Sequence, residues 1–243
     1  MRGCAALRQG SAQVKCEIAC TLTEAMDGWQ VLYRAYRRAG YIRPNRYEIH
    51  TVPEAIGAHT AVIVGRQGDR TVSTISSIAD SSRGLPMDAV YPDELAKLRG
   101  EGRRLIEIGL FGEHDGECGG AHPLPFTSAF KLICYALYFG LHMGLTDYVC
   151  GIAPRRVKLY KRMVGFRPIG PVKRYSIVGG NPVQLMRAEA VHLVNHGHRY
   201  RAINYFQKNP VPASAFSHRF RFRPQAVAGS WLDRFLHARR TAA

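Results

Sequence analysis

The chain has 243 residues, of which 46% are hydrophobic and 21% are charged. This length and composition exclude an intrinsically disordered chain and suit one large domain, or one domain with an extension, that buries a sizeable core. The 34 Lys and Arg against 18 Asp and Glu give a net charge of +16. This charge indicates a polyanionic partner, which would be nucleic acid, an anionic membrane surface or an acidic protein; the alternative is a basic surface without such a partner.

Cysteine usage and the N-terminus bear on the compartment. The six cysteines are scattered without a CxxC pair, which predicts free thiols in a reducing compartment; they are Cys4, Cys16, Cys20, Cys118, Cys134 and Cys150. Three of them, Cys20, Cys134 and Cys150, lie in apolar runs, where cysteine behaves as a small hydrophobic residue. The first residues lack the apolar core of a signal peptide, so we expect a cytoplasmic protein, with peripheral membrane contact as an open alternative.

The first half of the chain predicts a strand, a helix and a β-hairpin after a loose arm at residues 1–14. The elements are a strand at Lys15–Thr21, a helix at Glu24–Ala39, and hairpin strands at Thr60–Gly65 and Thr71–Ile78. Thr23 can cap the helix, whose apolar residues recur on one face of a 3.6-residue period. Gly68 and Asp69 supply the hairpin turn.

The second half alternates strands and helices. The elements are a helix at Pro92–Arg99, a strand at Arg104–Phe111, an apolar helix at Phe126–Met143, a strand at Tyr148–Ala153, a basic helix at Arg155–Val164, and strands near Tyr175–Val178 and Val183–Met186. The apolar helix carries Lys131 and His142 and is short for a membrane span, so we expect a buried central helix. Alternation predicts an α/β fold, and the early hairpin predicts a mixed sheet.

The C-terminal segment is strongly basic. From Arg187 onward ten cations face two acids, with aromatic residues between them. Helices are expected near Val191–Phe206 and Ser230–Arg239. We therefore expect a basic helical C-terminal extension at residues 189–243. It could bind anionic lipid, an acyl carrier protein or, least expected, nucleic acid, or it could pack on the core with its cations solvated; we favour partial packing, with the remainder facing a membrane or a carrier.

Several segments, taken in order, resemble known acyltransferases. Residues 152–166 (IAPRRVKLYKRMVGF) are similar to the late strand–helix–Gly-Phe signature of GNAT acyltransferases. Three earlier segments resemble the N-acyl amino acid synthases, which are related to acyl-homoserine lactone synthases: Val72–Asp80, Gly84–Leu98 and Arg103–Phe111. Over residues 15–188 the resemblance implies a GNAT-like mixed central sheet flanked by helices, and transfer of an acyl group, expected to be a long chain, from a thioester carrier to the amine of an amino acid.

The resemblance also implies where the reaction takes place. In a GNAT fold two neighbouring parallel strands splay apart and hold the pantetheine arm; here they are Arg104–Phe111 and Tyr148–Ala153. Glu107 aligns with a glutamate of the synthases, and we expect it to accept the amine proton, the alternative being an edge carboxylate paired with Arg103 or Arg104. Strand alternation puts it on the face opposite Ile106 and Ile108.

Tyr160 aligns with a tyrosine that many GNAT enzymes place near the leaving sulfur. A phenol can protonate a thiolate, since its unperturbed pKa is about 10. The alternative is an ordinary core tyrosine on an amphipathic helix.

Binding residues follow from the same resemblance. Backbone N–H groups around Ile108, Gly109 and Leu110 would face the thioester carbonyl. An apolar channel for the acyl chain needs large hydrophobic side chains, although core packing explains these residues equally well; the candidates are Phe111, Phe126, Phe130, Ile133, Leu137, Trp29 and Tyr33. Arg103 is the candidate for the acceptor carboxylate.

The donor is expected to be an acyl carrier protein. CoA-using GNAT enzymes hold the pyrophosphate on a Gly-rich basic loop at a helix N-terminus, but the matching segment Gly119–Pro125 contains two prolines and no Arg. Since an acidic carrier would be attracted to a basic protein, acyl-phosphopantetheine is favoured over acyl-CoA, and no bound cofactor is expected.

Two alternatives stay open. The first is a non-catalytic acyl- or nucleic-acid-binding module on a GNAT scaffold, because Gly109 and Leu110 stand where related synthases often carry an Arg. The second is a CoA-dependent N-acetyltransferase. No metal site is expected: His114, Cys118 and His122 offer only three ligands, and isolated histidines on the C-terminal helix are usually solvated.

Overall fold

The computed structural model describes residues 14–114, 126–217 and 230–240. Within these ranges the strands are β1 (Lys15–Ile18), β2 (Thr60–Gln67), β3 (Arg70–Ala79), β4 (Leu105–Glu113), β5 (Asp147–Ile152), β6 (Arg167–Pro168), β7 (Lys173–Tyr175) and β8 (Asn181–Glu189). The helices are α1 (Leu22–Arg38), α2 (Pro92–Gly100), α3 (Phe126–His142), α4 (Val157–Val164), α5 (Ala190–His196), α6 (Arg201–Lys208) and α7 (Trp231–Arg240).

The described strands form one mixed sheet. Their order is β1-β2-β3-β4-β5-β8-β6, and β7 pairs with β8 beside this path. All neighbouring pairs are antiparallel except β4 and β5, which run parallel. The mixed α/β architecture predicted from the order of the elements is therefore confirmed.

α1 begins two residues earlier than predicted. Thr21, and not Thr23, is the N-cap: its hydroxyl accepts a hydrogen bond from the backbone N–H of Glu24, whose carboxylate accepts one from the N–H of Thr21. This reciprocal capping box satisfies N–H groups that have no partner inside the helix. The helix buries Trp29 and Leu32 against the sheet.

The hairpin and the central helix agree with the sequence prediction. β2 and β3 pair in register from Thr60↔Ile78 to Gln67↔Arg70 around the predicted turn. α3 covers the sheet with buried Leu132 and Phe139, as expected for a core helix. No helix in the described part of the chain is long and apolar enough to cross a membrane.

Three local predictions were wrong. Residues 176–178 form a 3-10 turn rather than a strand, because the chain reverses there from β7 into β8 through Gly179 and Gly180, both with positive φ. The helix predicted at 191–206 is divided at Gly197, where a side chain would clash with Ile203 folding back. Cys20, expected to behave as a small hydrophobic residue in an apolar run, is exposed.

Helices cover both faces of the sheet. The face under α3, here called the α3 face, also receives α4, α5 and α6, which contribute Val164, Leu193 and Ile203 to its core. The opposite face, the α1 face, is covered by α1, α2 and α7. The described parts of the C-terminal segment thus pack on both faces, with α7 contributing Leu232 and Phe235.

Candidate active site

The two parallel strands at the centre of the sheet are paired over a short distance only. β4 and β5 pair from Leu105↔Asp147 to Glu107↔Val149. Both strands continue beyond this point without pairing to each other. The splay expected between these two strands is therefore present, and it opens directly after Glu107.

A β-bulge in β4 lies on the edge of this gap. β3 pairs with β4 at Ser76↔Gly109 and Thr74↔Gly112, so β4 holds one residue more than β3 over this stretch. Leu110 takes up the irregularity with φ of 51°, a left-handed conformation that is uncommon for a residue other than glycine. As a result, two successive residues, Gly109 and Leu110, line the same cavity.

A cavity of ≈ 540 Å³ opens at the splay on the α1 face. β5 contributes Gly151, where a Cβ atom would come within 2.7 Å of the Met87 sulfur, so the backbone approaches this closely only because the residue is glycine. The other lining residues used below are Glu107, Gly109, Leu110, Tyr36, Tyr175 and Arg155.

Glu107 is the buried acid of this cavity, with 5% of its surface exposed. Its Oε2 accepts a hydrogen bond of 2.9 Å from the backbone N–H of Met87. Burial raises the pKa of Glu107 to about 8, and the negative charges of Glu54 and Asp88 act in the same direction. Glu107 is not paired with Arg103 or Arg104, so the alternative interpretation as an edge ion pair was wrong.

Tyrosines near Glu107 were missed from the sequence. Tyr36, Tyr41 and Tyr175 line the cavity, and the Tyr175 hydroxyl donates to the carbonyl of Pro86 at 3.2 Å. Burial raises the pKa of Tyr36 and of Tyr175 well above the usual range of tyrosine, so both are neutral hydroxyl donors. One sequence feature could have indicated Tyr36 as a site residue, namely its position at the end of the apolar face of α1.

Tyr160 is half-buried in α4 and packs against the core of the α3 face. Burial, with Cys150 nearby, raises its pKa to about 12. Tyr160 does not line the cavity described above, although it interacts electrostatically with Tyr36, which does. Its role as the acid for the leaving thiolate stays a prediction.

The residues predicted to bind the thioester and its acyl chain lie in several separate places. Gly109 and Leu110 line the cavity. Ile108, Phe111, Phe130, Ile133 and Leu137 belong to the core of the α3 face. The side chain of Phe126 lies outside the described residues.

Trp29 and Tyr33 are buried in α1 away from this cavity. Trp29 packs in the cluster that includes α7, and the Tyr33 hydroxyl accepts a hydrogen bond from the N–H of Asn45. Neither residue lines the cavity that contains Glu107, which we call the reaction cavity because it is the candidate site, so the structure does not place them in a channel that starts at Glu107.

Arg103 is also placed elsewhere. It precedes β4 and forms ion pairs with the buried Asp147 and with Glu189. Arg187 pairs with the same aspartate at 2.7 Å. Although burial opposes it, hydrogen bonds from Arg103, Thr146 and Arg187 lower the pKa of Asp147. The prediction that Arg103 binds the acceptor carboxylate is not supported, because this arginine is held in an ion-pair cluster at the closed end of the splay.

A second, larger opening adjoins the reaction cavity. It has a volume of ≈ 910 Å³ and shares Tyr41, Pro86 and Ile177 with that cavity. Among the described residues its arginines are Arg43, Arg46, Arg83 and Arg234, and we call it the arginine groove. These residues were not singled out from the sequence, because they come from separate segments of the chain.

A basic surface borders the reaction cavity at its other side. The 3-10 turn Pro154–Arg156 and α4 carry exposed cations and no acid; the cations are Arg155, Arg156, Lys158, Lys161 and Arg162. Leu159, with 45% of its surface exposed, lies among them. Arg155 also lines the cavity, so this basic surface continues to the opening above Glu107.

Some predictions lie outside the described residues. The loop Gly119–Pro125, Cys4, and Cys118 and His122 of the metal-ligand motif fall in undescribed ranges. Within residues 14–114, 126–217 and 230–240 no group of three or more His, Cys, Asp or Glu side chains is arranged to hold a metal ion.

Comparison with known proteins identifies the family. Residues 27–189 match the family model described as N-acyl amino acid synthase FeeM. No curated protein matches the chain. α7 lies outside the matched residues.

Solved structures agree in fold. FeeM, an N-acyl amino acid synthase from uncultured soil microbes, is 23% identical, with 79% of this chain and 98% of that chain covered and a TM-score of 0.66. The AHL synthase LasI is 12% identical, with coverage of 76% and 96% and a TM-score of 0.57. TofI, solved with an inhibitor and MTA, is 13% identical, with coverage of 84% and 99% and a TM-score of 0.58. A protein from Lactobacillus plantarum described as an N-acetyltransferase is 12% identical, with coverage of 73% and 98% and a TM-score of 0.50, and the predicted GNAT-like fold is confirmed.

Proposed function

Because the chain belongs to the FeeM family of N-acyl amino acid synthases and is an acyltransferase, we propose that it moves a long-chain acyl group from an acyl carrier protein to the amine of an amino acid. The observation that carries this proposal is the position of Glu107, a buried carboxylate at the point where β4 and β5 separate. A thioester in the splay and an amine in the cavity would meet beside this residue.

Glu107 is the general base of the proposed reaction. The amine nitrogen attacks the thioester carbonyl, a C–N bond forms, and the proton of the nitrogen passes to the Glu107 carboxylate directly or through a water molecule. The pKa of about 8 makes the ionised form a stronger base than an ordinary glutamate. The hydrogen bond from Met87 fixes the carboxylate orientation.

Collapse of the tetrahedral intermediate breaks the C–S bond and releases a thiolate. The bulge at Leu110 presents the backbone of Gly109 and Leu110 to the cavity, where N–H groups could stabilise the oxyanion. Tyr160 supplies the proton to the thiolate in this proposal. Tyr36 lines the same cavity as Glu107, and its neutral hydroxyl interacts electrostatically with both Glu107 and Tyr160.

The carrier-protein donor is supported by the basic surface of residues 154–164. Its cations are exposed, and one of them, Arg155, lines the cavity. Such a surface would attract an acidic carrier and orient its pantetheine arm toward the splay.

The experiment is mass spectrometry of lipid extracts from cells that express the wild-type chain or Glu107→Gln, followed by assays of the purified protein with acyl carrier protein and acyl-CoA donors. New N-acyl amino acids with the wild type, and a loss of about 100-fold or more in the variant, are expected. Glu101→Gln, an exposed acid on the C-cap of α2, is the matched control. No acylated product from a well-folded wild type would overturn the proposal, and a preference for acyl-CoA would overturn its donor.

A further inference from the structure

The helices that cover the α3 face carry positive charge and no acids. The sequence has one Lys in α3, five Lys and Arg in residues 154–164 and three in residues 190–208, and these three segments contain no Asp or Glu. α1 and α2, which cover the opposite face, contain Glu24, Asp27, Asp93 and Glu94. Because the two helical layers differ in this way, an anionic partner is attracted to the α3 side of the molecule.

Exposed aliphatic residues lie in the same helical layer. Five large aliphatic side chains are exposed in the described part of the chain, and four of them are on α3, α4 and α5: Leu141, Leu159, Val191 and Val194. Val191 and Val194 are three residues apart on α5, so they share one side of that helix. Single exposed aliphatic residues are ordinary, but neighbouring ones surrounded by cations indicate an interaction surface.

An apolar groove with a volume of ≈ 260 Å³ lies between α3, α5 and α6. Its lining includes Leu137 and Leu141 of α3, Leu193 and Val194 of α5, and Ile203 of α6. Gln207 at the end of α6 also lines the groove, and its side-chain amide donates a hydrogen bond of 3.0 Å to the carbonyl of Val194. This hydrogen bond joins α6 to α5, so the exposed residues of both helices have defined positions around the groove.

Cations stand beside this groove. Lys208, at the end of α6, and Arg199, in the turn between α5 and α6, are both exposed. Desolvation, together with the nearby His192, Arg199 and His198, lowers the pKa of His196, as expected where positive groups lie close together. We call the surface formed by these aliphatic residues and cations the α5 patch; it consists of Leu141, Val191, Val194, Arg199 and Lys208.

The location of the α5 patch does not suit a carrier protein. None of the residues that line its groove lines the reaction cavity. Tyr148 lines the groove and pairs with Ile106 where β4 and β5 remain joined, whereas the cavity opens on the other face where the strands separate. A carrier on the α5 patch would hold its pantetheine arm away from the splay, and the basic surface of residues 154–164, which continues to the cavity, is better placed for that partner.

A second copy of this chain does not suit the α5 patch either. Most homodimers are symmetric and bring the same surface of both copies together. Here that contact would oppose Arg199 and Lys208 to their own equivalents, and the helices of this layer contain no acid to pair with them. Like charges facing each other oppose association, so the partner has to be anionic.

We propose that the α5 patch binds the surface of an anionic phospholipid membrane. In this arrangement Leu141, Val191 and Val194 enter the boundary between headgroups and acyl chains, while Arg199 and Lys208 bind the anionic headgroups. The chain lies on the membrane and does not cross it. α5 and α6 follow residue 189, the last residue that matches the family, so this inference goes beyond the proposed function and does not depend on it.

The test measures binding of the purified full chain to lipid vesicles by sedimentation, without any substrate. One set of vesicles contains phosphatidylcholine alone, and the other contains equal parts of phosphatidylcholine and the anionic phosphatidylglycerol. Val191→Gln with Val194→Gln removes the aliphatic side chains of α5, and Arg199→Gln with Lys208→Gln removes the cations. All four side chains are exposed, so folding should be retained, and thermal unfolding checks it.

Each variant has a matched control away from the α5 patch. Val172→Gln changes a valine that is 50% exposed between β6 and β7. Arg34→Gln with Lys97→Gln removes two exposed cations from α1 and α2, so it lowers the net charge by the same amount as the cation variant.

We expect the wild type to bind the anionic vesicles more tightly than phosphatidylcholine alone, and salt to weaken this binding. The affinity for anionic vesicles should fall about fivefold for each cation removed from the α5 patch. It should fall about tenfold when both valines are replaced, because their transfer into the membrane is lost. Val172→Gln should match the wild type, and the control for charge should change the affinity much less than the cation variant.

Hydrogen exchange of the wild type tests the same inference without a substitution. Anionic vesicles should slow exchange most at the backbone amides of residues 190–208. Protection centred on α1 and α2 instead would overturn the inference.

Other results would overturn it as well. These are equal binding to the two kinds of vesicle, no binding to anionic vesicles, unchanged affinity in both patch variants, or an equal loss in the control for charge. A dimer that Val191→Gln with Val194→Gln dissociates would assign the surface to self-association. An increase in the KM for an acyl carrier protein, with vesicle binding unchanged, would assign it to the carrier. The proposed function is tested separately, since vesicle binding needs no acyl transfer and acyl transfer by purified protein needs no vesicles.

Discussion

The backbone N–H of Met87 donates a hydrogen bond to the buried carboxylate of Glu107, and it is a hydrogen bond from a neutral donor. Met87 lies in the 3-10 turn Pro86–Ala89. A neutral amide offsets part of the cost of burying a negative charge, but less than a cation would. The balance leaves the Glu107 pKa raised to about 8.

The rate of acyl transfer should increase with pH up to a plateau above about 8, because the base must be ionised to accept a proton. Glu54→Gln removes a neighbouring negative charge that helps to raise this pKa. The ascending limb of kcat/KM should therefore move to lower pH in that variant. A limb at the same pH in both proteins would indicate that another group controls the profile.

Glu107 should also reduce stability at high pH. Its folded-state pKa is above the ordinary value, so the folded protein holds a proton that the unfolded chain loses between about pH 4.3 and 8. The free energy of unfolding should fall as pH increases through this window. Glu107→Gln keeps an oxygen to accept from Met87 and removes the titration, so denaturant unfolding at pH 9 should find the variant more stable than wild type.

Asp147→Asn should destabilise the fold by about 3 kcal/mol, because it leaves two arginines around a buried position without their carboxylate. Since the pKa of Asp147 is lowered in the folded state, its contribution is present above the unfolded value of about 3.9 and is lost as pH falls through the folded value. Urea unfolding at pH 7 tests the change. Asp93→Asn, an exposed acid of α2, should have almost no effect.

Reversal of charge on α4 tests the donor. Lys158→Glu with Lys161→Glu alters exposed side chains only, so folding should be retained. The KM for an acyl carrier protein should increase about tenfold, more strongly at low salt, while the KM for an acyl-pantetheine without the protein should not change. Lys97→Glu on α2 is the matched control. An equal increase in the KM for the acyl carrier protein in this variant would show that only the net charge of the protein matters.

Tyr160→Phe tests the leaving-group acid. If Tyr160 protonates the thiolate, kcat should fall about 100-fold with thermal stability almost unchanged, since the hydroxyl takes no part in apolar packing. A variant with wild-type kcat would assign Tyr160 to the core.

The sequence was informative where local periodicity controls the structure. Alternation along β4 placed Glu107 opposite Ile106 and Ile108, and these isoleucines do pack in the core of the α3 face. Leu110 departs from the same rule because the bulge turns its side chain to the α1 face. The bulge arises from the pairing of β4 with β3, and the sequence of β4 alone does not reveal how the two strands pair.

Contacts between distant segments explain the other differences. The partners of Arg103 are Asp147 and Glu189, far along the chain, so its charge gave no indication of its location. Trp29 packs in the core, which was the alternative to its place in an acyl channel, and it shares its cluster with α7, about two hundred residues later. The arginine groove combines three segments in the same way, and no local pattern in any one of them marks it.

The short pairing between β4 and β5 gives Asp147 a mechanical significance. It ties Arg103, just before β4, to Arg187 of β8 at the end where the two strands remain joined. The sheet consists of two halves that meet at this end, and the ion pairs brace the junction between them. We therefore expect a substitution at Asp147, which does not line the cavity, to alter the separation of β4 and β5 and with it the acyl donors that the protein accepts.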